Sequence, residues 1–208
     1  MNIAIIGAGN IGSGLGKLWA KKGHKIMFGS RDPAKLKDMA DAMGAKAGTI
    51  ADAAKFGEVI LLSVPYTGAA DAVKACGNLD GKVLIDCTNP LNADYSGLVV
   101  GYTSSAAEEI AKIAKGAKVV KGLNTVFAQI HQSGNPSFNG TVPSVFYSGD
   151  DKAAKEKVAK LIGDAGYDPV DCGPLKNARF IEPMAMLMIQ LGYGLGMGPN
   201  IAFKLLKR

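Results

Sequence analysis

The sequence predicts an α/β fold: a doubly wound, mostly parallel sheet with a small helical annex at its C-terminal end. Three observations predict it. Short apolar runs alternate with helical patterns, as a parallel sheet covered by helices requires. The first run, Asn2 to Ile6, is isoleucine-rich and reads as a strand buried on both faces. It leads straight into Gly7-Ala8-Gly9-Asn10-Ile11-Gly12, after which Ile11, Leu15, Leu18 and Trp19 recur at helical spacing. Strand, Gly-x-Gly-x-x-Gly, helix is the context of a Rossmann-type dinucleotide turn. Gly7 allows the tight turn, Gly9 admits a pyrophosphate to the backbone, and Gly12 lets the helix pack close to the strand. The amide N–H groups and the helix dipole then face the phosphates.

The second strand, Lys25 to Phe28, closes with Gly29-Ser30-Arg31. An NAD enzyme usually places an acidic side chain here for the ribose 2′-hydroxyl. This chain offers a hydroxyl and a guanidinium instead. Arg31 suits a 2′-phosphate through paired charged hydrogen bonds. Ser30 adds a neutral one, and Lys35 can add charge from one helical turn further on. Asp32 precedes Pro33 and reads as a helix N-cap. The expected cofactor is therefore NADP(H).

The remaining elements follow in order. Leu36, Met39, Ala40 and Met43 mark a helix stopped by Gly44. Ala45 to Gly48 is a weak strand, and Ile50 to Phe56 a short helix ended by Gly57. Strands are expected at Glu58–Ser63 and Lys82–Cys87, with a helix carrying Ala69, Val73 and Cys76 between them. Ser105 and Glu108 form a capping box for a helix bearing Ile110 and Ile113. Ala117 to Lys121 is the sixth strand, followed by an irregular stretch through Asn135-Pro136. Ser144–Ser148 and Tyr167–Asp171 are strands around a helix capped by Asp150 or Asp151. A last helix runs from Asn177 to Leu191, ahead of a glycine-rich segment and a basic tail. Residues 1–175 are expected to form the dinucleotide domain and 176–208 the annex, the whole on one extended sheet.

Composition narrows the function. With 208 residues and 48% hydrophobic content, the chain can build one sizeable core. No basic leader precedes the first strand, and Met184–Leu195 is too short to span a bilayer. Cys76, Cys87 and Cys172 have no metal or CxxC spacing, so they read as reduced thiols of a cytoplasmic protein without a metal site. The net charge of +6 suits an anionic cofactor; aromatic–basic interleaving for nucleic acid is missing. The late methionine-rich helix is apolar nearly all round, which points to burial against a second copy in a homodimer.

Ligands of open parallel sheets sit beyond the carboxyl ends of the strands. That selects the loops Ser63-Val64-Pro65-Tyr66, Thr88-Asn89-Pro90 and Asn124-Thr125 for the ribose and nicotinamide. Pro65 makes a flat wall for a flat ring. Tyr66 either stacks on a ring or fills a pocket. His24 is expected to be exposed, and His131 to be solvated or at a helix end.

Gly7 to Gly12, Gly29-Ser30-Arg31, Val64-Pro65, Asn124-Thr125 and Gly173-Pro174-Leu175 with Asn177 and Arg179 together resemble the coenzyme F420-dependent NADP oxidoreductases. The same pattern resembles the cytosolic NADPH domain of the six-transmembrane metalloreductases. The first resemblance implies hydride transfer between NADPH and a deazaflavin. It implies that Ser30, Arg31 and Lys35 hold the 2′-phosphate and that Val64 and Pro65 line the nicotinamide pocket. It places Ala128 where the backbone holds the nicotinamide amide, and Asn177, Arg179 and the late helix beside the second substrate. The chain departs from archaeal members at Tyr66, where they carry Trp, and at Asn124, where they carry His.

Hydride passing between two bound rings needs stacking, distance and exclusion of water rather than an acid–base residue. None is predicted. The alternatives are an NADPH-dependent flavin or ferric reductase and a non-catalytic NADP(H) sensor. A β-hydroxyacid dehydrogenase or imine reductase needs a further helical domain of about a hundred residues; fewer than forty residues follow the last strand.

Overall fold

The computed structural model describes residues 1–208. Eight strands form one sheet: β1 (Asn2–Ile6), β2 (Lys25–Ser30), β3 (Lys46–Thr49), β4 (Val59–Leu62), β5 (Val83–Asp86), β6 (Lys118–Lys121), β7 (Ser144–Gly149) and β8 (Asp168–Asp171). Their order is β3-β2-β1-β4-β5-β6-β7-β8. The first six are parallel in the Rossmann order; β7 joins β6 antiparallel, and β8 runs parallel to β7. The helices are α1 (Asn10–Lys21), α2 (Lys37–Ala42), α3 (Ile50–Phe56), α4 (Tyr66–Ala75), α5 (Ala106–Ile113), α6 (Ala128–Ser133), α7 (Lys152–Asp164) and α8 (Ala178–Ile189).

The apolar runs are continuous because both sheet faces are covered. Ile3 and Ile5 point into a core with Trp19, Phe28 and Leu161. Ala4 and Ile6 point into a second core with Ala53, Val73, Ile110 and Ala178. Trp19 also donates its indole N–H to the Leu161 carbonyl at 2.8 Å, joining α1 to α7. No helix is long and apolar enough to cross a membrane.

Several local expectations change. Asp151, not Asp150, caps α7; Asp150 accepts the Leu175 N–H instead. Ser105 caps α5, but the Glu108 carboxylate turns to Arg179, so the capping box is half made. The stretch after β6 contains α6, only six residues long and without a side-chain cap. The last helix is shorter than expected. A 3-10 turn, Leu175–Asn177, precedes it, and a π-turn, Gln190–Gly194, follows. His24 is buried rather than exposed, because its Nε2 meets the Asp164 carboxylate at 2.9 Å at the end of α7.

Candidate functional site

The glycine turn links β1 to α1. Gly7 has φ of 100°, and a Cβ there would lie 2.6 Å from the Ser63 carbonyl oxygen. A Cβ on Gly12 would lie 2.0 Å from the Gly7 carbonyl oxygen. Both positions are therefore closed to side chains by backbone. Gly9 differs: a Cβ there meets no atom within 4 Å. It caps α1 without a side-chain hydrogen bond, and no acidic residue stands in the first turn. Open space above uncapped helix amides is what a pyrophosphate requires. Ser63 braces the turn, its hydroxyl donating to the Gly7 carbonyl at 2.6 Å.

A groove crosses the carboxyl ends of the strands from here. At one end, a cavity of about 720 Å³ is lined by Gly7, Ala8, Ser30, Arg31, Val64 and Pro65, among others. Ser30 ends β2, and its hydroxyl accepts the Asp32 N–H at 3.1 Å. Asp32 makes no side-chain cap; its carboxylate faces Lys35 at 3.1 Å. Lys35 lies outside the cavity lining and already has that partner. Arg31 is exposed and is the cation that lines the cavity. A guanidinium beside a hydroxyl fits a 2′-phosphate.

The middle of the groove, about 630 Å³, is bordered by Gly9, Asn10, Ile11, Val64, Pro65 and Tyr66, together with Ser63, Thr88 and Asn89. Tyr66 opens α4 and is half-buried; burial first, then the carboxylates of Glu109, Glu182 and Asp86, raise its phenol pKa. Asn10, Ile11, Asn89, Leu91, Tyr95 and Ala128 continue into a third chamber of about 510 Å³. Its other walls include Asn124, Thr125, Phe127, Ala185, Met188 and Tyr193.

The chamber floor has a fixed hydrogen-bond polarity. Asn89 Nδ2 donates to the Asn124 backbone carbonyl at 3.1 Å, so Asn89 Oδ1 faces Asn124 as an acceptor. Asn124 Nδ2 donates to it at 3.0 Å. The Asn124 Oδ1 is left buried without a partner, as are the hydroxyls of Thr88 and Thr125. Leu123, buried with φ of 64°, holds Asn124 in this position through a left-handed turn that a leucine adopts at a cost. Orphaned buried polar atoms call for a partner.

Two expected substrate residues stay outside the groove. Asn177 donates to the Cys172 carbonyl at 2.6 Å and stops the turn before α8. Arg179 forms a two-pronged ion pair with Glu108 at 2.9 and 2.7 Å, tying α8 to α5. That guanidinium holds the Glu108 carboxyl below its usual range. His131 also lies elsewhere: buried in α6, it meets the Tyr167 hydroxyl at 2.7 Å, and burial pushes its pKa down to about 3. Sequence reasoning missed Tyr95 and Tyr193, which reach the groove only through the fold.

Comparison with known proteins decides the family. The family model for NADP oxidoreductase, coenzyme F420-dependent, matches residues 2–90. An F420-dependent NADP reductase of Methanothermobacter marburgensis is 31% identical over 210 residues, covering 92% of each chain. The chain belongs to the F420-dependent NADP oxidoreductase family. A solved structure from Arthrobacter sp. FB24, described as a candidate F420-dependent NADP reductase, superposes with a TM-score of 0.90 at 30% identity, all of each chain being covered. The metalloreductase STEAP3 of Rattus norvegicus is 26% identical; 90% of this chain matches 37% of that one.

As a member of the F420-dependent NADP oxidoreductases, the chain is an NADP(H)-dependent oxidoreductase. A dinucleotide held along this groove would supply or accept the hydride. The chain's own task is to bind and orient the dinucleotide. The flanking groups suit that task. The Cys87 thiol in the middle of the groove is pushed up to about 12 by burial, so it stays protonated and inert.

Proposed function

We propose that this protein transfers hydride between NADPH and a flat deazaflavin or flavin-like ring. The observation that carries this reading is the third chamber. It adjoins the middle of the groove and is walled by apolar side chains of α8. Its floor offers unpartnered polar atoms suited to a ring with a hydrogen-bonding edge. Gly7 to Gly12 hold the pyrophosphate, with Ala8, Asn10 and Ile11 packing beside it. Ser30 and Arg31 hold the 2′-phosphate. Val64 and Pro65 back the nicotinamide, with Ser63 and Asn89 beside them and the Ala128 backbone at its amide. Tyr66 and Asn124 face the acceptor ring. Residues 176–208 form an annex whose helix closes the chamber. Exposed Phe180, Leu187, Leu195 and Met197 in this annex support a homodimer, which sedimentation would test.

The test is anaerobic NADPH oxidation with a deazaflavin, a flavin and a ferric chelate offered separately. Oxidation with the deazaflavin or flavin, and saturation by it, is expected. Oxidation by ferric chelate without any ring compound would replace this reading with a ferric reductase. That second reading draws on the likeness to the metalloreductase. Tight NADPH binding without turnover on any of them would remove both.

A further inference from the structure

One cluster in the interior serves neither the phosphate turn nor the ring-binding surface directly. Asp86 ends β5 and Lys121 ends β6, where they are register partners. Lys121 Nζ lies 2.9 Å from the Asp86 carboxylate and 3.0 Å from that of Glu182, which comes from α8. The three side chains are 0%, 0% and 1% exposed. Burying an ion costs several kcal/mol unless it is paired and hydrogen-bonded. Here each one is. Lys121 also donates to the Thr88 carbonyl at 2.5 Å. Asp86 accepts the Thr88 N–H at 2.8 Å. Glu182 accepts the Ala106 and Ala107 N–H groups at 2.8 and 3.1 Å, at the start of α5.

These bonds connect the two walls of the ring-binding chamber. Thr88 is gripped at both its N–H and its carbonyl. It precedes Asn89, which sets the polarity of Asn124. Glu182 anchors α8, and the next turns of α8 carry Ala185 and Met188 on the opposite wall. Lys121 itself stands three residues before Asn124. Burial opposes its charge, but the two carboxylates outweigh burial and keep the ammonium protonated. Well-packed apolar residues stabilise a core about as well as a buried ion cluster does. A directional cluster at this point instead fixes geometry.

We propose that Lys121, held by Asp86 and Glu182, is a positioning residue that sets the spacing of the two chamber walls and so the alignment of the reacting rings. The Lys121→Met/Asp86→Leu pair releases Thr88 at both its carbonyl and its N–H but leaves Glu182 on the α5 amides. Glu182→Gln loosens the α8 side alone. The readouts are NADPH affinity, fluorescence anisotropy of the bound reduced nicotinamide, turnover with whichever acceptor the wild type uses, and thermal melting. In the double variant, NADPH affinity should stay within about threefold, because the 2′-phosphate end is distant and independent. Anisotropy should fall, and kcat should drop by about a hundredfold, as for a misplaced reacting group. Glu182→Gln should raise the acceptor KM more than the NADPH KM. Folded variants with wild-type anisotropy, kcat and KM would overturn the proposal. So would an equal loss of NADPH affinity and turnover, which would mark general loosening. Should the double variant not fold, Glu182→Gln and the anisotropy measurement decide alone. The anisotropy arm needs no acceptor, so it stands even if the proposed acceptor class is wrong.

Discussion

The two ends of the groove solve different problems with different physics. At the Ser30–Arg31 end, the protein keeps its charge outside, on an exposed guanidinium, and shapes the pocket with bare backbone. At the Asn124 end, charge is taken inside, paired among Asp86, Lys121 and Glu182 and the α5 amides, and expressed only as the fixed direction of neutral amides. An anion is recognised well by a solvated cation, since the pairing forms as the ligand arrives. Alignment of two rings needs groups that are already immobile before either ring binds. Changes at the open end should therefore cost affinity, and changes at the buried end should cost stability, alignment or acid tolerance.

The largest effect should come from the glycine turn, and it sharpens the contrast within the open end itself. Gly12→Ala drives a Cβ into the Gly7 carbonyl, a backbone atom that cannot swing away. The strain is about 3 kcal/mol. Melting temperature and NADPH affinity should both fall, the affinity by about a hundredfold. Gly9→Ala meets open space and has a φ of −69° that alanine accepts. Melting should be unchanged while NADPH affinity still falls, because the new methyl occupies the phosphate's space. Calorimetric titration beside thermal melting separates the two. A Gly9→Ala protein that binds NADPH normally would remove the cradle.

Arg31→Ala comes next. Loss of charged hydrogen bonds to a 2′-phosphate should weaken NADPH binding by about ten- to a hundredfold. NADH, lacking that phosphate, should bind as before. Equal losses for both would mean that Arg31 touches something other than the 2′ position.

What was legible in the sequence divides along the same line. The turn, the strands and Arg31 could be read because their signals are local: glycine spacing, apolar runs and a residue type at a strand tip. The ion cluster behind the chamber could not. A lysine at a strand end reads as solvated, and only the approach of α8 buries Lys121. Glu182, set in an apolar helix, gave no sign of its partners at residues 106 and 107. Arg179 and Asn177 resembled substrate residues by position, but their partners, Glu108 and the Cys172 carbonyl, lie on other elements. Helix α6 escaped notice because six residues without a cap carry almost no periodic signal. With it went the burial of His131.

That histidine supplies the smallest effect, and it tests whether the buried end truly excludes new charge. His131 is neutral in the folded protein, its pKa lowered from 6.5 to about 3 by burial. An unfolded chain takes up a proton below about 6.5, whereas the folded chain does not until about 3. In that window the unfolded state binds more protons, so stability rises with pH and is lost on acidification. At pH 5 the loss is about 2 kcal/mol, and above pH 7 the contribution vanishes. For a chain of this size that lowers the melting temperature by about 4–8 °C. The rest of the protein titrates too, so the informative quantity is a difference between two chains. His131→Gln keeps a polar partner for Tyr167 but has no imidazole to charge. Its stability should be lower at neutral pH and should fall less between pH 7 and pH 5. Parallel slopes for the two chains would show that a proton reaches His131 in the folded state. The α6 side of the chamber would then be open to water, and the contrast between the two ends of the groove would fail.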